Sequence, residues 1–223
     1  MLADYPAETL HETIPDFHNT PVRLENFKKA LAADVCGRAA QVQDEIRFVL
    51  DREADTHVLM DMLQRGELPL RVTHNDTKLN NIMIDNATGR GICVIDLDTV
   101  MPGLALNDYG DSIRFGASTA AEDEQDLSKV SCDLELFEVY TKGFIEGCDG
   151  SLTEAEIRML PMGAKMMTLE CGIRFLTDYL QGDTYFKTHW EGQNLARCRT
   201  QFKLVKDMED KWEQMAAIVA KYA

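Results

Sequence analysis

Polar residues and prolines dominate the first twenty positions, and no apolar period emerges there. An irregular arm is therefore expected over 1–20, with Pro6 and Pro15 inside it and Pro21 just beyond. Apolar residues then recur at three- and four-residue steps: Leu24, Phe27, Ala30 and Leu31, followed by Val42, Ile46, Val49 and Leu50. Val58, Leu59, Met62 and Leu63 form a third such set, stopped by Gly66 and Pro69. Each set lays one stripe along a helix, so the first 70 residues read as helical.

The period changes in the middle of the chain. Leu70–Thr73, Asn81–Asp85 and Gly91–Asp96 are short runs rich in branched residues and suit strands, with Asn86-Ala87-Thr88-Gly89 as the turn between the last two. Helical spacing returns after residue 105. One helix is expected over Asp108–Ala117 and another around Leu134, Phe137, Phe144 and Ile145. Thr153-Glu154-Ala155-Glu156 is a capping box for a further helix, which Pro161 must break or kink. Residues 162–181 continue the pattern to Gly182, and Leu195, Cys198, Phe202, Val205, Trp212, Met215 and Val219 predict one long final helix. The fold class expected is α+β, mainly α-helical.

Composition narrows the function classes. Of 223 residues, 45% are hydrophobic and 27% charged, enough to bury a core. A net charge of −15 argues against nucleic-acid or anionic-membrane binding. Cys36, Cys93, Cys132, Cys148, Cys171 and Cys198 are scattered without zinc-site spacing and read as reduced thiols of a cytoplasmic protein. The start, Met1-Leu2-Ala3-Asp4-Tyr5-Pro6, lacks the basic patch and apolar run of a signal peptide. Methionines 159, 162, 166 and 167 read as core filler, the acidic runs at 122–126 and 207–210 as solvated faces, and His18, His57 and His189 as surface or packing residues.

Chemistry concentrates in His74-Asn75-Asp76-Thr77-Lys78-Leu79-Asn80-Asn81 and in Val94-Ile95-Asp96-Leu97-Asp98. A phosphoryl group in transit spreads negative charge over its oxygens, so its catalysis is mostly alignment and charge compensation. Asp76 is the expected base, accepting a hydrogen bond from the attacking hydroxyl. Lys78 would set its ammonium against the transferring group. Asn81 and Asp96 are hard oxygen donors suited to Mg²⁺. His74 is expected to prop the loop, and Asp98 to support it or lie beside the metal.

These residues carry a resemblance. HNDTKLNN is similar to the HxDxxxxN catalytic loop of the aminoglycoside phosphotransferase and choline kinase superfamily, and IDLD to its metal-binding acid motif. The strings HNDTKLNNIMID, CVIDLDTVMPG, YGDSIRFG and IRFLTDYLQGDTYF resemble the bacterial N-acetylhexosamine 1-kinases. The resemblance implies an ATP- and Mg²⁺-dependent enzyme that moves the γ-phosphate to the anomeric hydroxyl of a small sugar. It implies Asp76 as base, Asn81 and Asp96 as metal ligands, and sugar contacts from Arg174 and Tyr185, with Asp111, Asp178 and Trp190 behind them.

The chain also departs from that pattern. No glycine-rich strand turn and no VAIK-like strand precede the loop, so an N-terminal ATP-binding lobe is expected to be absent. Residues 21–223 are then the C-terminal lobe of a protein-kinase-like fold with a small β-hairpin insert: catalytic loop 74–81, acid segment 94–98 and substrate-binding helical region 105–223. The face such a lobe would cover should be apolar and prone to self-association. Competing readings are a choline, ethanolamine or aminoglycoside kinase, whose cationic acceptor Arg174 disfavours, and a lobe that binds metal or sugar without turnover.

Overall fold

A computed structural model describes residues 5–223. After a 3₁₀ turn at Ala7–Thr9, the chain forms α1 (Thr20–Ala33), α2 (Gln43–Leu50) and α3 (Glu53–Gln64). Four short strands follow: β1 (Arg71–Thr73), β2 (Ile82–Ile84), β3 (Gly91–Val94) and β4 (Met101–Gly103). The rest is helical: α4 (Ala105–Gly116), α5 (Leu134–Gly147), α6 (Glu154–Arg158), α7 (Leu160–Gln181), α8 (Gln193–Asp210) and α9 (Trp212–Tyr222). The α+β, mainly helical expectation holds, and no helix among the described residues is long and apolar enough to cross a membrane.

The arm hands over to α1 one residue earlier than expected. The Asn19 side chain accepts from Val22 N, and Pro21 sits in the first turn, where its missing N–H costs nothing. Pro161 likewise starts a helix instead of kinking one: α6 ends at Arg158 and α7 begins at Leu160. The capping box at Thr153 and Glu156 is present. The single long final helix is divided, because the chain leaves helical geometry at Lys211, between α8 and α9.

Helix α7 is the axis of the core. Most of its residues are buried, and it packs on α8, α4 and α1. Its approach to α4 is close because both helices bring glycines to the crossing. A Cβ built on Gly110 would lie 2.3 Å from the Gly163 carbonyl oxygen, and one on Gly163 would lie 2.8 Å from that of Leu106. Around this contact Leu106, Tyr109, Ile113, Leu169, Ile173 and Leu176 are wholly buried.

The strands form two separate antiparallel pairs, not one hairpin. β2 pairs with β3, Ile82 opposite Val94. β1 pairs with β4, which the sequence conceals because Pro102 sits opposite Val72 on an edge. The β2–β3 ribbon has neither face covered. Leu79, Ile82, Met83, Ile84, Ile92, Val94, Ile95 and Leu97 are all exposed, Ile92 at 62% and Leu97 at 60%. Such a contiguous apolar surface is unusual for a free-standing ribbon.

Candidate functional site

The loop between β1 and β2 is held from several sides. Asp108, in the first turn of α4, accepts the His74 backbone N–H on Oδ2 at 2.9 Å and that of Asn75 on Oδ1 at 2.7 Å. Its backbone carbonyl accepts the Thr77 hydroxyl at 2.6 Å. Asn75 adopts a left-handed φ of 65°, a conformation Asn tolerates better than most residues. Its side chain donates to the Thr99 carbonyl at 3.0 Å, while the Thr99 hydroxyl donates to the His74 carbonyl at 2.7 Å. Burial pushes the Asp108 carboxyl upward, against the two backbone N–H bonds that favour its anion.

Within this frame, Asp76 has one engaged and one open oxygen. Lys78 Nζ donates to Oδ2 at 2.7 Å, and Asn81 Nδ2 donates to the same oxygen and to the Asp76 carbonyl, each at 2.9 Å. Among the described residues, nothing hydrogen-bonds to Asp76 Oδ1 or to Asn81 Oδ1. His74 Nε2 lies 3.0 Å from the Ile95 carbonyl, and its Nδ1 accepts the Asp76 N–H at 3.3 Å. His74 thus ties the loop to the segment carrying Asp96.

Ribbon register sets the position of that segment. With Ile82 opposite Val94, the Ile95 N–H donates to the Asn81 carbonyl at 2.9 Å, and Asp96 follows next to it. Asp96 is exposed and turns the chain with φ 64°. Asp98 is exposed as well, and its backbone carbonyl accepts the Thr13 hydroxyl at 3.4 Å.

No group of three or more His, Cys, Asp or Glu side chains that could hold a metal occurs among the described residues. The two donors present nevertheless suit magnesium. Asn81 has spent its NH₂ on Asp76 and keeps its Oδ1, and Asp96, an exposed acid, directly follows the Ile95 that bonds the Asn81 carbonyl. Mg²⁺ commonly takes one or two protein oxygens and completes its octahedron with water and phosphate.

On the α7 side of the loop is a cavity of about 500 Å³, lined among others by Asp76, Lys78, Asp111, Arg174 and Tyr185. Asp111 is buried; its Oδ1 accepts from Arg114 Nε at 2.9 Å, but its Oδ2 has no partner. The Arg174 guanidinium faces the rings of Phe17, Tyr185 and Phe186 at 5.6, 5.9 and 5.4 Å. Among the described residues it makes no hydrogen bond or ion pair. Tyr185 is 71% exposed at the rim, and Trp190 is exposed outside the lining.

Asp178 has a different place from that expected. It is not part of this lining: its carboxylate accepts the backbone N–H groups of Thr184, Tyr185 and Phe186 and the Asn194 side chain. Its oxygens are committed to shaping the loop that presents Tyr185. Spacing along the chain does not single out Asp108, Glu170 or His18 as members of the site. Asp108 looked like one more polar residue at a helix start. Glu170 carried a usable signal, a lone acid inside the apolar run from Met166 to Phe175. His18 had none, since the residues that bury it are remote in sequence.

The model of the phosphotransferase enzyme family, APH, matches residues 2–131, more than half of the chain. The match takes in Asp76, Asn81, Asp96 and Asp108 and stops before α5, so the helices lining the far side of the cavity lie outside it. With the loop, the acid segment and the helix that braces them all inside the matched region, the chain belongs to the APH phosphotransferase family.

Proposed function

We propose that the protein's machinery transfers the γ-phosphoryl group of Mg²⁺-bound ATP to a hydroxyl of a small acceptor, and that the acceptor is an N-acetylhexosamine phosphorylated at C1. The observation that carries this reading is that one cavity is lined by Asp76, Asp111 and Arg174, whose guanidinium makes no hydrogen bond or ion pair among the described residues. A polyhydroxylated ring supplies donors for the carboxylates and acceptors for the arginine. Choline, ethanolamine or an aminoglycoside brings positive charge instead, and Arg174 opposes it across an aromatic wall that would otherwise suit a cation.

In this reading the acceptor hydroxyl donates to Asp76 Oδ1, which takes the proton late in the transfer. Lys78 compensates charge on the moving phosphoryl group, and His74 and Asp98 support the loop. Asn81 and Asp96 would hold magnesium, which would supply charge neutralisation for the transferring phosphoryl group. Arg174, Asp111 and Tyr185 orient the sugar, with Asp178 holding the Tyr185 loop. Residues 21–223 act as the catalytic lobe, and the exposed β2–β3 face meets the nucleotide-covering part of the enzyme. Left uncovered, the apolar face drives self-association.

The test is acceptor-dependent ADP release with N-acetylglucosamine, N-acetylgalactosamine and choline as competing acceptors. Turnover with a sugar, abolished by Asp76→Asn, is expected. Turnover with choline alone would replace the sugar assignment. Sugar binding by calorimetry without any turnover would leave a lobe that binds and does not transfer.

A further inference from the structure

Among the described residues, the least exposed ion pair ties the N-terminal arm to α7. His18 Nδ1 lies 2.8 Å from Glu170 Oε1, with the two side chains 7% and 1% exposed. The other ring nitrogen, Nε2, lies 2.9 Å from the backbone carbonyl oxygen of Asn75. The Thr20 hydroxyl donates to the second Glu170 oxygen at 2.7 Å. A carboxylate oxygen and a carbonyl oxygen can only accept here, so both ring nitrogens must carry hydrogen. Neutral imidazole has one N–H; imidazolium has two. The geometry therefore calls for His18 as a cation.

What His18 grips is the peptide unit leading into Asp76. The oxygen of the Asn75–Asp76 peptide faces His18 Nε2, and its N–H donates to His74 Nδ1 at 3.3 Å. The preceding peptide is fixed by Asp108, through the Asn75 N–H. With its plane held at both ends, the unit sets the direction in which the Asp76 side chain leaves the backbone. Deprotonation would leave the remaining N–H on the Glu170 carboxylate, the stronger acceptor, and turn a ring lone pair toward the Asn75 oxygen.

We infer that protonated His18 is a positioning residue for the catalytic loop, and that phosphoryl transfer declines as pH rises through its titration. This rests on Asp76 being the base proposed above. The charged groups around the ring are Glu170 and Arg174 from α7, Asp108 from α4, Asp76 and Lys78 across the cavity, and Glu12 and Asp16 of its own arm. Burial alone would lower the His18 value. The charge and hydrogen bond of Glu170, with the Asn75 carbonyl, outweigh burial and the opposing Arg174, leaving it raised. Glu170 shifts the other way: burial is overcome by the charge and hydrogen bond of His18, with help from Arg174 and Thr20.

The test reads the ring directly. A ¹⁵N NMR pH titration of the full chain should show both His18 nitrogens protonated at neutral pH, with a midpoint above the usual value of about 6.5. The Asp76 amide resonance should follow the same midpoint. A midpoint below that value, or an Asp76 amide indifferent to it, overturns the inference whether or not the protein turns over. With an active acceptor, kcat should fall above that midpoint while the KM for the acceptor changes little. His18→Gln, which keeps one donor but cannot titrate, should lose kcat by roughly ten- to a hundredfold and lose that alkaline limb. A variant with an unchanged kcat and pH profile refutes the positioning role. Full activity in Asp76→Asn would instead refute the base assignment and leave the NMR coupling standing.

Discussion

Asp108 holds Asn75 by its backbone amide at 2.7 Å, from a helix that starts more than twenty residues beyond the loop it braces. The same carboxylate takes the His74 amide, so one half-buried side chain organises two consecutive peptide units ahead of Asp76. Asp108→Asn keeps the shape but offers a single acceptor oxygen and turns an NH₂ toward one of the two amides. Urea unfolding should show a loss of about 1–3 kcal/mol. Amide exchange at His74 and Asn75 should accelerate, while α7 stays protected.

The crossing of α4 and α7 depends on bare backbone. Gly110→Ala would drive a methyl group into the Gly163 carbonyl, an atom that cannot rotate away. A destabilisation of about 1–3 kcal/mol is expected from such overpacking. Gly143→Ala is the control: a Cβ there meets nothing within 4 Å. It should leave the melting temperature unchanged or raise it, because alanine is the better helix former.

Arg174 separates acceptor binding from chemistry. It faces aromatic rings of the cavity, and among the described residues it hydrogen-bonds to neither Asp76 nor Lys78. Arg174→Ala should raise the KM for a sugar acceptor by roughly tenfold or more, as expected from losing a hydrogen bond of a charged donor worth about 1.5–3 kcal/mol. The KM for ATP should hardly move. A variant that binds choline better than the parent would reverse the acceptor assignment.

The His18–Glu170 pair gives stability a defined pH window. A raised histidine stabilises fully below its ordinary value and loses that contribution as pH climbs through the folded one. A lowered glutamate stabilises above its ordinary value and loses it as pH falls. The pair therefore contributes most between roughly pH 4.3 and 6.5. Chemical denaturation of the parent and His18→Gln should differ most in that window and converge toward alkaline pH.

The β2–β3 ribbon predicts concentration-dependent association. Ile92 and Val94 are exposed, at 62% and 53%. Static light scattering should show molecular mass rising with concentration, and Ile92→Lys with Val94→Lys should suppress the rise without changing the melting temperature. A monomer in both proteins at high concentration would remove self-association from the proposal.

By itself the sequence determined what is local and periodic. Helices appear where apolar residues fall at three- and four-residue steps, the capping box where Thr153 meets Glu156, and the loop where Asp76, Lys78 and Asn81 lie within one turn of chain. Such features need only neighbours a few residues apart. The tertiary structure alone decided the division of the strands into two pairs, since pairing joins Val72 to Pro102 across thirty residues. It also decided which charged groups have partners. Asp178 spends its oxygens on backbone amides, Asp111 keeps one oxygen without a partner, and His18 meets Glu170 across 152 residues of sequence. Burial and pairing are properties of packed surfaces, and no spacing along a single chain encodes which surfaces will meet.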